Sequence, residues 1–278
     1  MAERPGRPGP DLPDWDVWAL RLGSVDRPAR DNFLMPCARS GAMRLDFTMW
    51  VARAGDRVVV VDTGFSERAG EKRGRRLDLR PAEAVRRLGI EPGRVSEVVL
   101  THLHFDHAGN LGDFPQAQVS VQAGELEYTT GKAMTHPALN HFFEADDVVE
   151  VVRRVHDGGV RVVEGDLELA PGLELCLIGG HTKGLQVVRV HTARGWVVLA
   201  SDALHYYANF HERNPFPAIL DLGQMLDGYD RIGRLAASQD HIVPGHDPAV
   251  FDRYADSHDD LPDGTVALHR APRRAPAP

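Results

Sequence analysis

The stretch "THLHFDHAGN", residues 101–110, places three histidines and an aspartate within six consecutive positions. His102, His104, Asp106 and His107 follow directly on the apolar run Val98–Leu100. Four polar groups crowded at the end of a buried strand repel one another and lose hydration, so a hydrogen-bond network or a metal ion must compensate. Three more candidates also come just after apolar runs. His181 follows "LCLIGG", Asp202 follows "WVVLAS" and His246 follows "HIVPG". Imidazole and carboxylate donors together suit zinc or a similar first-row divalent ion. His102 and His104 are two positions apart, so in an extended stretch they point the same way. A turn at Asp106–His107 redirects the next two groups toward a second centre, and Asp202 has two oxygens with which to bridge. The chemistry such a centre supplies is Lewis-acid polarisation and activation of bound water. No G-x-S-x-G segment supplies a serine nucleophile instead.

These groups must be carried by strands. Short apolar, β-branched runs bounded by glycine occur at 57–64, 95–102, 118–122, four times between 159 and 202, and at 240–246. Helical periodicity or helix-start signals appear at 81–88, 138–155 and 222–237, the last with Asp221 as N-cap. The alternation predicts a mixed α/β layering. A coarse echo runs through it. An apolar strand followed by aspartate occurs in both halves ("VVVVDTG", "WVVLASD"), and so does an apolar strand followed by histidine ("EVVLTHLH", "HIVPGHD"). Two similar halves facing each other would account for this.

The bulk composition narrows the partners. The chain has 278 residues, 42% of them hydrophobic, and a net charge of −8, which argues against a nucleic-acid partner. The local cluster Arg73, Arg75 and Arg76 reads as a solvated loop. No run reaches the ~18 apolar residues needed to span a membrane, and no signal peptide is evident at the N-terminus. Cys37 and Cys176 make no disulfide framework, so a reducing, cytoplasmic setting is expected. The Pro/Gly-rich ends read as tails at 1–14 and 263–278, leaving a single domain over 15–262. A homodimer is neither required nor excluded. The remaining histidines, His141 and His258 among them, stand on polar ground and read as surface residues, while His241 is placed to support a ligand.

The segment "THLHFDHAGN" resembles the HxHxDH signature of the metallo-β-lactamase superfamily, and the likeness extends from "VVVVDTG" to "PGHD". The resemblance implies an αββα sandwich with a dinuclear centre at its edge. One zinc ion would sit on His102, His104 and His181 and the other on Asp106, His107 and His246, with Asp202 bridging. Asp62 matches the aspartate that orients the ligand loop. The motif and the spacing from Asp202 to His246 (246 − 202 = 44) resemble those of the N-acyl homoserine lactonase-like branch. The implied activity is the opening of a lactone ring by hydroxide held between two metals, with Asp106 delivering the proton to the leaving oxygen. A thioesterase or β-lactam hydrolase on the same site is the alternative, as is a metal-binding scaffold without activity. That branch often carries a tyrosine three residues after the bridging aspartate to contact the substrate carbonyl. Here that position is His205, followed by Tyr206 and Tyr207. Tyr206 is the favoured replacement, because a neutral phenol donates at any working pH, and His205 is the other candidate. The segments 134–143 and 205–217 are expected to line the pocket mouth.

Overall fold

A computed structural model describes residues 12–255 and 261–273. The long strands β1 (Asp16–Pro28) and β2 (Ala42–Ala54) form a hairpin. They are followed by β3 (Arg57–Val61), β4 (Glu97–Val99), β5 (Gln118–Gln122) and β6 (Val160–Val163). A second set comprises β7 (Leu167–Ala170), β8 (Leu173–Leu177), β9 (Gln186–Thr192), β10 (Gly195–Ser201) and β11 (Ile242–Pro244), before β12 (Thr265–Ala267) returns to the first. The strands make a seven-stranded sheet, ordered β12-β1-β2-β3-β4-β5-β6, and a five-stranded sheet, ordered β11-β10-β9-β8-β7.

Strand alternation explains how the layers stack. On β3, Val59 and Val61 meet Leu173, Val188 and Val197 of the other sheet, whereas Val58 and Val60 meet the helical layer at Ala84 and Val85. On β10, Val197 and Leu199 face the first sheet, and Val198 and Ala200 face Met225, Tyr229 and Ile232 of the helix Leu222–Leu235. Both faces of both sheets are therefore covered, which is why the central strands read as unbroken valine runs. The result is helix, sheet, sheet, helix: the expected αββα sandwich.

The echo between halves has a structural counterpart. β3 pairs parallel with β4, and β10 pairs parallel with β11. In each pair one strand ends at an aspartate, Asp62 or Asp202, and the other runs toward histidines. All seven candidate ligands thus come to one edge of the sandwich.

Three expectations are revised. The segment 263–278 is not wholly a tail, because β12 pairs with β1 (Ala19↔Val266) and Leu268 is buried. Its apolar run is too short to register as a strand until β1 offers it an edge. Residues 1–11 and 274–278 of the expected tails lie outside the described residues, as does His258. The helix expected over 138–155 is broken into Pro137–Asn140 and Ala145–His156. Between them the chain turns so that Phe142 and Phe143 pack on His104, with ring centroids 5.1 and 4.5 Å away. His241 does not reach the ligands; its Nε2 lies 2.7 Å from the carbonyl of Arg194. Among the described residues, no helix is long and apolar enough to cross a membrane.

Candidate metal centre

Asp62 and Ser201, at the ends of β3 and β10, both hold positive φ angles of 61° and 44°. Non-glycine residues rarely adopt such angles, and the cost is tolerated where the surroundings fix the backbone. Here they do. The Asp62 carboxylate accepts from Thr101 N and Thr101 Oγ1, both at 2.8 Å, and lies 2.8 Å from His107 Nδ1. Ser201 Oγ reaches Asp62 at 3.3 Å and Thr101 at 2.8 Å. One buried carboxylate thereby ties β3, the ligand loop after β4 and the end of β10 together.

Three of the candidate ligand histidines, His107, His181 and His246, are aimed by their Nδ1 atoms. His181 Nδ1 donates to the carbonyl of Ala218 (2.6 Å), and His246 Nδ1 donates to that of Asp46 (2.7 Å). His107 is held by Asp62 in the same way. These bonds turn the Nε2 atoms inward, as such outer partners do in metal sites. Potential ligand atoms of His102, His104, His181 and Asp202 lie within 4.8 Å of one another, and so do those of Asp106, His107 and His246. The structure thus brings together the residues that the family resemblance assigns to each set, and Asp202, His205 and His246 form a third such group.

Asp202 stands between the sets and divides its oxygens. Its Oδ1 is 3.2 Å from His107 Nε2 and 2.9 Å from His246 Nε2. Its Oδ2 is 3.3 Å from His181 Nε2 and 3.9 Å from His102 Nε2. The Nε2 atoms of His102 and His107 and Asp202 Oδ1 are buried, yet none makes a hydrogen bond. Donor atoms on a tetrahedral zinc at about 2.0–2.1 Å stand roughly 3.3 Å apart. Buried lone pairs at that spacing, close but unaligned for hydrogen bonding, fit shared cations. The residues present therefore suit divalent metal ions.

The electrostatics agree. Burial, aided by the neighbouring imidazoles, pushes His102 and His104 well below the ordinary histidine range. Neutral imidazole is the form that ligates. Burial also opposes charge on His107, but Asp202, Asp62 and Asp106 outweigh it and hold that histidine well above its usual value. His246 is likewise raised against burial by Asp202. Burial disfavours the Asp202 anion, yet His246, His107 and His205 keep its pKa well below the usual carboxylate range. The centre is thus an anion surrounded by groups that cations can replace as its partners.

Glu125 was not legible in the sequence, where "AGELEY" reads as an ordinary helix start. It is fully buried and accepts from Leu103 N (3.0 Å) and Gly184 N (2.9 Å), joining the His104 loop to the His181 loop. Gly184 permits this, because a Cβ there would lie 2.4 Å from Glu125 N.

The two carbonyl-contact candidates fall in different places. Tyr206 is buried against Leu45, Phe47 and Phe65, and its hydroxyl donates to the carbonyl of Arg44 at 3.1 Å. It does not line the cleft. His205 does, stacked on Phe216 with centroids 3.3 Å apart. Its Nε2 lies 2.9 Å from Asp202 Oδ2, and burial pushes its pKa down to about 3. A neutral imidazole that donates to Asp202 from Nε2 keeps a lone pair on Nδ1. In that tautomer it orients Asp202 and cannot also donate to a carbonyl.

Five of the seven candidate ligands, His104, Asp106, His181, Asp202 and His246, line a cleft of about 850 Å³. Leu139, Phe142 and Phe216, from the two segments expected at the mouth, line it; Ile219, just beyond the second segment, does too, and so does His141, which the sequence suggested was surface.

Comparison with known proteins places this architecture. The family profile described as the metallo-beta-lactamase superfamily matches residues 48–254. An N-acyl homoserine lactonase of Bacillus sp is 28% identical over 226 residues, which cover 73% of this chain and 82% of that protein. An N-acyl homoserine lactonase of Bacillus thuringiensis is 30% identical over 170 residues, so the match spans about 60% of that relative's length. An N-acyl homoserine lactone hydrolase solved with N-hexanoyl-L-homoserine at its catalytic metal centre superposes with a TM-score of 0.72 at 22% identity, over 87% of this chain and 96% of that one. This chain belongs to the metallo-beta-lactamase superfamily.

Proposed function

We propose that this hydrolase opens lactone rings, with N-acyl homoserine lactones as the leading substrate class, at a centre of two zinc ions. The observation that carries the reading is the divided carboxylate of Asp202, one oxygen toward each ligand set. His102, His104 and His181 would hold one ion, and Asp106, His107 and His246 the other. When bound, such ions polarise the ester carbonyl and make hydroxide available at neutral pH. The chain's own residues do the rest. Asp202, fixed by His205, sets the spacing of the sets. The apolar walls at Phe142 and Phe216 hold the acyl chain and keep bulk water from the ring. Asp106, least buried of the seven ligands and part of the cleft wall, takes the proton of the attacking water and passes it to the ring oxygen as that bond breaks. The product is the open hydroxy acid.

A turnover panel of N-acyl homoserine lactones, simple γ-lactones, thioesters and β-lactams tests this reading. Lactones are expected to lead by kcat/KM. A thioester or β-lactam turned over in preference to every lactone would overturn it.

The pair at 205 and 206 gives a second test. His205→Ala is expected to lower kcat roughly tenfold to a hundredfold, the usual loss when a ligand's supporting partner is removed. Tyr206→Phe removes one hydrogen bond to a backbone carbonyl, so it is expected to cost about 1 kcal/mol of stability. Its kcat should stay within about twofold of wild type, since the hydroxyl does not face the cleft. A collapse of kcat in Tyr206→Phe with His205→Ala unaffected would reverse the assignment.

A further inference from the structure

The basic run "EKRGRR" reads from sequence as a solvated loop, yet Arg73 and Arg75 line the cleft, together with Arg27 and Arg30 from the end of the β1–β2 hairpin. Their circumstances differ. Arg73 is neutralised by Glu144, donates to the carbonyl of His141 at 2.9 Å and lies 4.1 Å over the Phe105 ring. Arg30 is 86% exposed and paired with Asp31 at 3.6 Å. Arg76, outside the cleft, is equally exposed and paired with Asp78.

Arg27 and Arg75 remain. Both are half-buried. Arg27 donates to the backbone carbonyl of Asp31 at 3.3 Å, and Arg75 makes only a long contact, 3.4 Å, with the carbonyl of its neighbour Gly74. No carboxylate of the described residues forms an ion pair with either. Burial and then the charge of Arg27 lower the pKa of Arg75, while Asp106 opposes them. Two like charges, partly out of water and near enough to repel, are costly to keep unless an anion joins them. Apolar wall, at Val25, Leu45, Phe47 and Phe105, belongs to the same cleft. A substrate seated there would meet metal ligands at its base, hydrocarbon along its length and two guanidinium forks.

We propose that the preferred substrate carries an anionic group on its acyl side, remote from the ring, and that Arg27 and Arg75 bind that group. The guanidinium geometry matches a carboxylate, and charge-assisted bonds of this kind are the strong ones. The inference rests on the lactone reading for the reacting ring, but not for the anion.

The test compares N-adipoyl- and N-hexanoyl-homoserine lactone, which have equal chain length and differ in a terminal carboxylate against a methyl. Wild-type enzyme is expected to favour the adipoyl lactone by about tenfold or more in kcat/KM. In Arg27→Gln and Arg75→Gln the preference should shrink to about twofold or less, while Arg76→Gln keeps it. Equal or better use of the hexanoyl lactone by wild type would overturn the arginine pair and leave lactone hydrolysis intact. So would a preference that survives both substitutions. If neither lactone is turned over, calorimetric binding of the two ring-opened products decides. Tighter binding of N-adipoyl-homoserine, lost in Arg75→Gln, would sink the lactone reading and sustain the anion site. Indifference to the carboxylate there would overturn both.

Discussion

Asp202→Ala is expected to lower kcat by two to three orders of magnitude and to strip metal from the protein in the same step. The carboxylate is fully buried and faces both ligand sets, with His107 and His246 at one oxygen and His181 and His102 at the other. In the proposed two-metal centre, removing it leaves no anion between the ions and the buried imidazoles. Taking one partner from a buried charged constellation typically costs about 3–5 kcal/mol, or roughly 10²- to 10⁴-fold in affinity. Activity and metal content should therefore fall together. Asp202→Asn separates charge from shape. The amide fills the same space and can coordinate through one oxygen, so the fold should hold while metal retention still drops. Metal content and kcat of both variants, measured on the same preparations, check this. Wild-type stoichiometry in Asp202→Ala would place the centre elsewhere.

Asp62→Ala is expected to be the largest stability defect in the site. It leaves Thr101 N, Thr101 Oγ1 and His107 Nδ1 without their acceptor in a fully buried setting. It also puts alanine at a φ of 61°, which aspartate and asparagine tolerate better. Each stranded buried group costs about 1–3 kcal/mol, so a total of about 3–5 kcal/mol is expected. For a domain of this size that lowers Tm by roughly 10 °C. Asp62→Asn keeps the backbone preference and one acceptor oxygen. It should melt closer to wild type yet bind metal about 10–100-fold more weakly, because His107 loses the anion that aims it. Thermal melts with and without added zinc separate the two effects. An Asp62→Ala protein with wild-type Tm and metal content would show that the network is dispensable.

What the sequence revealed follows from where the information lies. The clustering of the seven candidate ligands was legible because each sits at the end of an apolar run, and the fold brings those strand ends to one edge. The role of Asp62 came instead from the family resemblance, which matches it to the aspartate that orients the ligand loop. The parallel pairs β3–β4 and β10–β11 left a trace as the repeated strand–aspartate and strand–histidine pattern. Other features depend on contacts distant in sequence. β12 is three residues long and exists only because β1 has a free edge. The break before Ala145 comes from Phe142 and Phe143 packing on His104, which no helical period encodes. Neighbours in sequence, His205 and Tyr206 part at the start of a helix, one toward Asp202 and the other toward Arg44. Glu125 bridges two loops 81 residues apart (184 − 103 = 81), and nothing local marks it. Arg75 looks like its neighbour Arg76 until the β1–β2 hairpin places Arg27 in the same cleft.

The most direct test of the proposed dinuclear centre is elemental analysis of the purified chain alongside its lactone turnover, before and after chelation. The account expects about two divalent ions per chain, turnover that disappears as they are removed, and recovery of both when zinc is restored. Metal content near zero, with lactone turnover indifferent to the chelator, would contradict it.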